Sequence, residues 1–167
     1  DIADWRDRTV ANVPRTEVKE VKVTYDAEPL NSFTLQQQDT GHINVILDSV
    51  LMTGKELNKR RASVYTKFFE DLHHEGYING SYKLDSVIAA APKMCAIDIT
   101  TTKGQQQHID IYWMSLNKRS KNMLTPNPNT PLAYDADRFY AVINNAKDTV
   151  IIQRSSFDKI LRRCYEF

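Results

Sequence analysis

The chain has 167 residues, and a chain of that length removes about 70% of its unfolded surface on folding, enough for a core without staples. Its 22 basic and 21 acidic residues nearly cancel, which argues against a dedicated nucleic-acid binder. An apolar fraction of 41% with 26% charged residues is ordinary for a globular protein, and no apolar run is long enough to span a bilayer.

In chain order, Trp5 comes first, among charges (Asp4-Trp5-Arg6-Asp7-Arg8), and its indole is expected to dock on the domain. The first strand runs from Val18 to Tyr25. Val21, Val23 and Tyr25 alternate with Lys22 and Thr24, and Val18 is out of phase, so a bulge or boundary is expected near Lys19-Glu20. Ser32 to Gln37 gives a second strand. Asp39-Thr40-Gly41 turns the chain, and Ile43 to Leu47 gives a third. Short connections favour an antiparallel meander.

A helix follows. Thr53 and Glu56 have capping-box spacing, although the start falls as late as Lys59 on the same pattern. Val64, Phe68 and Leu72 lie at i, i+4, i+8 and, with Tyr65 and Phe69 beside them, predict the buried face, with Gly76 as the residue after the end. Leu84, Val87, Ile88 and Ala91 predict a shorter helix stopped by Pro92. Met94 to Thr100 and His108 to Met114 alternate again, joined through Lys103-Gly104-Gln105. The stretch from Asn117 to Pro131 is irregular, because the prolines at 126, 128 and 131 exclude helix and inner strand.

Tyr134 to Phe167 reads as one unit. Phe139 to Ile143 and Thr149 to Gln153 form a hairpin across Asn144 to Asp148. Ser155 is placed to cap a helix with Phe157, Ile160, Leu161 and Cys164 on one face. The order is therefore β-β-β-α, a short helix, β-β, a long loop, β-β-α. This predicts an α+β fold, β-β-β-α then β-β-β-β-α, with antiparallel meanders and two main helices packed on one face. Either one domain fills 1–167, or two subdomains, 1–91 and 92–167, share a core. Cys95 and Cys164 are too few for a disulfide framework and read as buried thiols, with a single bridge as the alternative in an oxidising compartment.

The candidate chemistry is sparse. His73-His74-Glu75 at a helix end points its rings about 100° apart and suits helix capping rather than a shared metal. Asp98, His108 and Asp110 share the polar face of one hairpin, where acid–base chemistry competes with plain solvation. Lys59-Arg60-Arg61 and Arg162-Arg163 match solvated helix faces, or a surface for anionic lipid or nucleic acid. Tyr112, Trp113 and Tyr134 flank the Pro-rich stretch. Lys118, Arg119 and Lys121 with Tyr112 and Tyr134 are the candidate interaction surface. Asn79-Gly80-Ser81 matters only under glycosylation. No catalytic, cofactor-binding or metal-binding set is assigned.

Tyr134 to Ile143, Lys147 to Gln153 and Phe157 to Leu161 resemble the end of a family of uncharacterised Gram-negative envelope proteins. These carry a large domain of unknown function behind one N-terminal membrane anchor. Asp4 to Val10, Val18 to Tyr25, Ser32 to Leu35 and Asp85 to Ala89 extend the resemblance over most of the chain in patches. It implies a periplasm-facing, anchored α+β domain of which this chain is the C-terminal portion; the start at Asp1 fits a processed or truncated chain. Some wider relatives are associated with gliding-type ABC transport systems. The resulting expectation is a non-enzymatic envelope domain that binds another protein, a transporter subunit among the candidates, and no nucleic acid. The alternatives are a small-ligand or glycan-binding domain, and a hydrolase built on Asp98, His108 and Asp110.

Overall fold

The computed structural model describes residues 7–38, 43–46, 56, 58–78, 82–122, 132–145 and 147–167, with backbone alone for 43–46, 82–85 and 122. The elements are β1 (Thr9–Ala11), β2 (Val18–Tyr25), β3 (Phe33–Gln37), β4 (Ile43–Ile46), α1 (Lys59–Tyr65), β5 (Leu72–His73), β6 (Gly76–Tyr77), α2 (Tyr82–Ala90), β7 (Lys93–Thr101), β8 (Gln106–Ser115), β9 (Tyr134–Ile143), β10 (Asp148–Gln153) and α3 (Arg154–Phe157). The fold is α+β and mostly antiparallel strand.

Eight strands form one sheet in the order β4-β3-β2-β7-β8-β9-β10-β6. The sequence supplies two meanders, β2 to β4 and β7 to β10. They join where the first strand of each pairs antiparallel, Val21 opposite Ile99 and Val23 opposite Ile97. The phase break at Lys19-Glu20 is a register shift between Val18 and Glu20 against β7. A separate two-stranded ribbon pairs β1 with β5. At the β9–β10 turn, Asn144 and Asn145 take φ of 54° and 56°, the left-handed region that Asn tolerates.

Alternation sorts side chains onto two faces. Val21, Val23, Ile97, Ile99, Ile109 and Ile111 belong to the main core, which Ala62 and Tyr65 of α1 and Phe157 and Ile160 of the C-terminal segment complete. Burying each such aliphatic or aromatic side chain contributes about 1.5–3 kcal/mol. The opposite face carries a smaller cluster. There Ile88 of α2 meets Met114 and Tyr140, with Tyr112, Val142 and Ile151 alongside. Helices therefore cover both faces of the sheet, rather than one.

The first helix differs from its predicted extent. Asn58, not Thr53, caps it, accepting from Arg61 N at 3.0 Å. It ends at Tyr65 and tightens into a 3-10 turn over Thr66–Phe69. Two competitors stop it. Thr66 Oγ1 donates to Ser63 O at 3.0 Å. Beyond the turn, the backbone bonds to the N-terminal arm, Val13 N to Phe69 O and His74 N to Arg8 O. Leu72 and Gly76 accordingly lie in strands, and His73-His74 ends no helix. On the helix and its extension the buried residues are Ala62, Tyr65 and Phe69; of the predicted stripe, Leu72 buries fully from β5, Phe68 is half-buried against the core and Val64 is 42% exposed.

The C-terminal helix is also shorter than its apolar spacing predicts. α3 is one turn, with Gln153 at the cap position and no side-chain cap, so Ser155 does not serve there. Carbonyls a continuing helix would use are taken by tyrosine hydroxyls, Tyr65 to Ile160 O at 2.8 Å and Tyr25 to Arg162 O at 2.6 Å. Phe157, Ile160 and Cys164 still bury fully. Cys95 and Cys164 are free thiols, both buried. Trp5, Thr53, Asn79 to Ser81 and the Pro-rich 125–131 lie outside the described residues. Among the described residues, no helix is long and apolar enough to cross a membrane.

Candidate functional site

Three places bring chemically capable side chains together. The first is the polar face of β7 and β8. Register sets Asp98 directly opposite His108 and Ala96 opposite Asp110. His108 Nδ1 lies 2.5 Å from Asp98 Oδ1, and Nε2 lies 2.9 Å from Asp110 Oδ1. Lys93 Nζ reaches the same Asp110 oxygen at 2.6 Å. That oxygen sits between two cations without an aligned hydrogen bond. The hydrogen bond to Asp98, with the charge of both carboxylates, raises the His108 pKa against its partial burial. Burial is the largest influence on Lys93 and lowers its pKa, but the Asp110 contact and the charges of Asp110 and Asp26 together outweigh it, and the pKa rises.

The three side chains of the predicted hairpin face therefore meet. Their chemistry is that of an ion-pair chain. With each ring nitrogen beside a carboxylate, the doubly protonated imidazole is favoured, and that form has no lone pair to accept a substrate proton. Among the described residues, no group of three or more His, Cys, Asp or Glu side chains is arranged to hold a metal.

The second place is the foot of β8 and β9, where the predicted interaction surface falls. Asn117 closes a side-chain turn, its Oδ1 accepting from Arg119 N at 2.9 Å and Ser120 N at 3.1 Å. Arg119 pairs with Asp137 at 3.0 Å and approaches buried Asp135 at 3.7 Å. Asp135 Oδ1 accepts from Asp137 N and Arg138 N. Lys118 and Lys121 are exposed. Tyr134 stacks on Trp113, centroids 5.3 Å apart at 25°, while Trp113 also meets Phe139 of the main core. Tyr112 belongs to the opposite face, beside Met114 and Tyr140. The sheet thus separates Tyr112 from Tyr134, and Arg119 is engaged in holding the turn.

The third place was not assembled by sequence. α1 and the C-terminal segment enclose a groove of about 560 Å³, bordered by Arg60, Arg61 and Arg162 and floored by Val64, Phe68 and Phe167. Asn58 N donates to Phe167 O at 2.7 Å and Arg61 Nη1 to Glu166 O at 3.1 Å, which ties the two segments together. Arg162 pairs with Glu166 at 2.9 Å, and Arg163 with Glu28 at 3.1 Å while lying over the Tyr25 ring. Lys159 lies 5.6 Å above the Phe68 ring. Both basic runs were visible in sequence, but only the fold joins them. Tyr65 and Phe69, beside the stripe in sequence, take the core and leave Val64 exposed and Phe68 half-buried at its edge. A second cleft of about 420 Å³ lies at the hairpin tips, where Asn12, Gln105, Gln106 and Asn145 contribute amides.

No family model matches the chain, and no curated protein or solved structure shows significant similarity to it.

Proposed function

We propose that this is a non-enzymatic binding module that docks another protein of the cell envelope, a subunit of a transport system being the partner class the family resemblance implies. One observation carries the reading: Arg60, with no carboxylate partner among the described residues, stands beside exposed Val64 on a groove large enough for a ligand group. Arginine is among the residues enriched at interaction hot spots. The Asp98–His108–Asp110 chain favours this reading over a hydrolase, because its imidazole is already spent on two carboxylates. The test is a crosslinking pull-down of the full-length protein from its native membranes, read by mass spectrometry. Recovery of the same envelope subunits in replicate, reduced severalfold by Arg60→Glu with Arg61→Glu, is the expected result. Recovery of the bait alone contradicts the reading.

A second reading, a neutral small ligand or glycan, is favoured by the amide-lined cleft at the hairpin tips, since carboxamides match hydroxyl donors and acceptors. A thermal shift with sugar panels, lost in Gln106→Ala with Asn145→Gly, tests it.

A further inference from the structure

The groove between α1 and the C-terminal segment carries a pattern of charge as well as a volume. Arg60, Arg61 and Arg162 border it, Arg61 and Arg162 both contacting Glu166, the carboxylate among its lining residues. Among the lining side chains, three cations stand against one carboxylate. Glu166 shows how the site holds such a group, with Arg162 Nη1 on one oxygen and Arg163 N on the other at 2.6 Å. Val64 and Phe68 continue from Arg60 at i+4 and i+8, so the floor runs roughly 12 Å along the helix and its extension. Next to the lining residues, Lys159 sits over the Phe68 ring. It has no carboxylate partner among the described residues. The order is cationic, apolar, cationic.

We infer that this groove takes a short acidic segment of a partner protein, in which two carboxylates flank one or two apolar side chains. This rests on the reading of the protein as a binding module and names the chemistry of its partner. An extended chain covers roughly 12 Å in about four residues, so the complement is an acid–apolar–apolar–acid tetrad. A single-headed anionic amphiphile would satisfy the arginines and leave Lys159 unmatched, which is why a peptide fits better. Arginine supports the first carboxylate with paired N–H donors, and Lys159 supports the second as a point charge.

The experiment is a fluorescence-polarisation titration with a labelled, end-blocked peptide in which an aspartate and a glutamate flank two leucines. Its Asn/Gln counterpart, sodium octanoate and anionic phospholipid vesicles are the comparison probes. The acidic peptide is expected to saturate, to weaken at least tenfold in Arg60→Glu and severalfold in Lys159→Glu, and to weaken with added salt. Arg60 is exposed and Lys159 half-buried over the Phe68 ring, and unchanged thermal midpoints in both variants check that the fold is intact. Equal binding of the amide counterpart, no loss in Arg60→Glu, binding of octanoate or vesicles in place of the peptide, or no saturation by about 1 mM peptide would each overturn the inference. If the peptide fails while envelope subunits are still recovered from membranes by the Arg60→Glu, Arg61→Glu variant, the groove is wrong and the binding-module reading stands.

Discussion

Tyr65 donates its hydroxyl to the main-chain carbonyl of Ile160 at 2.8 Å, a buried bond between residues 95 apart in sequence. It joins α1 to the C-terminal segment, and with them the two sides of the groove. Burial pushes the Tyr65 phenol well above its ordinary pKa, so it remains a donor at any working pH. Around it, the rings of Phe33, Phe69 and Phe167 meet edge-on or tilted, with centroids 4.8–5.6 Å apart. Tyr65→Phe keeps the rings and removes one of two donors to the Ile160 carbonyl, which Arg162 N also reaches at 2.8 Å. The expected loss is about 0.5–1.5 kcal/mol, read as a lower urea midpoint with an unchanged slope. An unchanged midpoint would mean that water replaces the hydroxyl.

His108 gives the fold a pH signature. Its pKa is raised in the folded state, first by the hydrogen bond to Asp98. A raised pKa means that folding binds the proton more tightly, so the contribution is complete below the unfolded value of about 6.5. It is lost as pH rises through the folded pKa. The stability gap between the native chain and His108→Asn should therefore be widest at acidic pH and close on the alkaline side. An NMR titration of the imidazole gives the folded pKa directly. A midpoint at or below the ordinary histidine value would contradict the two-carboxylate arrangement.

The thiols should be silent. Burial pushes the Cys95 pKa up to about 12, so it carries almost no thiolate near neutral pH. Cys164 is equally buried, its Sγ 3.1 Å from Leu30 O. Neither should react with iodoacetamide in the folded protein, and both should react after unfolding. Labelling of Cys95 at the rate of a free peptide thiol would contradict its position between β2 and β8.

Asp135 and Arg119 share one turn and should differ in weight. The Asp135 side chain is fully buried and accepts two backbone N–H groups, so Asp135→Ala leaves both donors stranded, at about 1–3 kcal/mol. Arg119 and Asp137 are largely exposed, and Arg119→Ala should cost no more than about 1 kcal/mol. Denaturant midpoints of the two variants check the order.

The strands were legible because alternation is local. Val21-Val23-Tyr25 and Ile109-Ile111-Trp113 each announce a face, and the phase error at Val18 announced the shift opposite β7. The helices were legible only in part, because their ends are decided by distant groups. Tyr65 and Tyr25 capture carbonyls from the C-terminal segment, and the N-terminal arm captures the backbone after Phe69. The helical pattern at 64, 68 and 72 failed because the helix ends at Tyr65: Leu72 reaches the core from a strand, Phe68 is half-buried and Val64 is left exposed. The Asp98–His108–Asp110 chain could be read because its register follows from one hairpin. The groove could not be read, because Arg60 and Arg162 meet only after the sheet has closed between them.

The most direct test of the central claim places a photoreactive amino acid at Val64, on the groove floor, and a second at Lys22, on the opposite face of the sheet. Irradiation of cells carrying each full-length variant, followed by mass spectrometry, reads what touches each face. The account predicts one discrete protein adduct from position 64, suppressed by Arg60→Glu, and none of that species from position 22. Adducts identical at both positions, or none at 64, would contradict the assignment of the groove as the binding face.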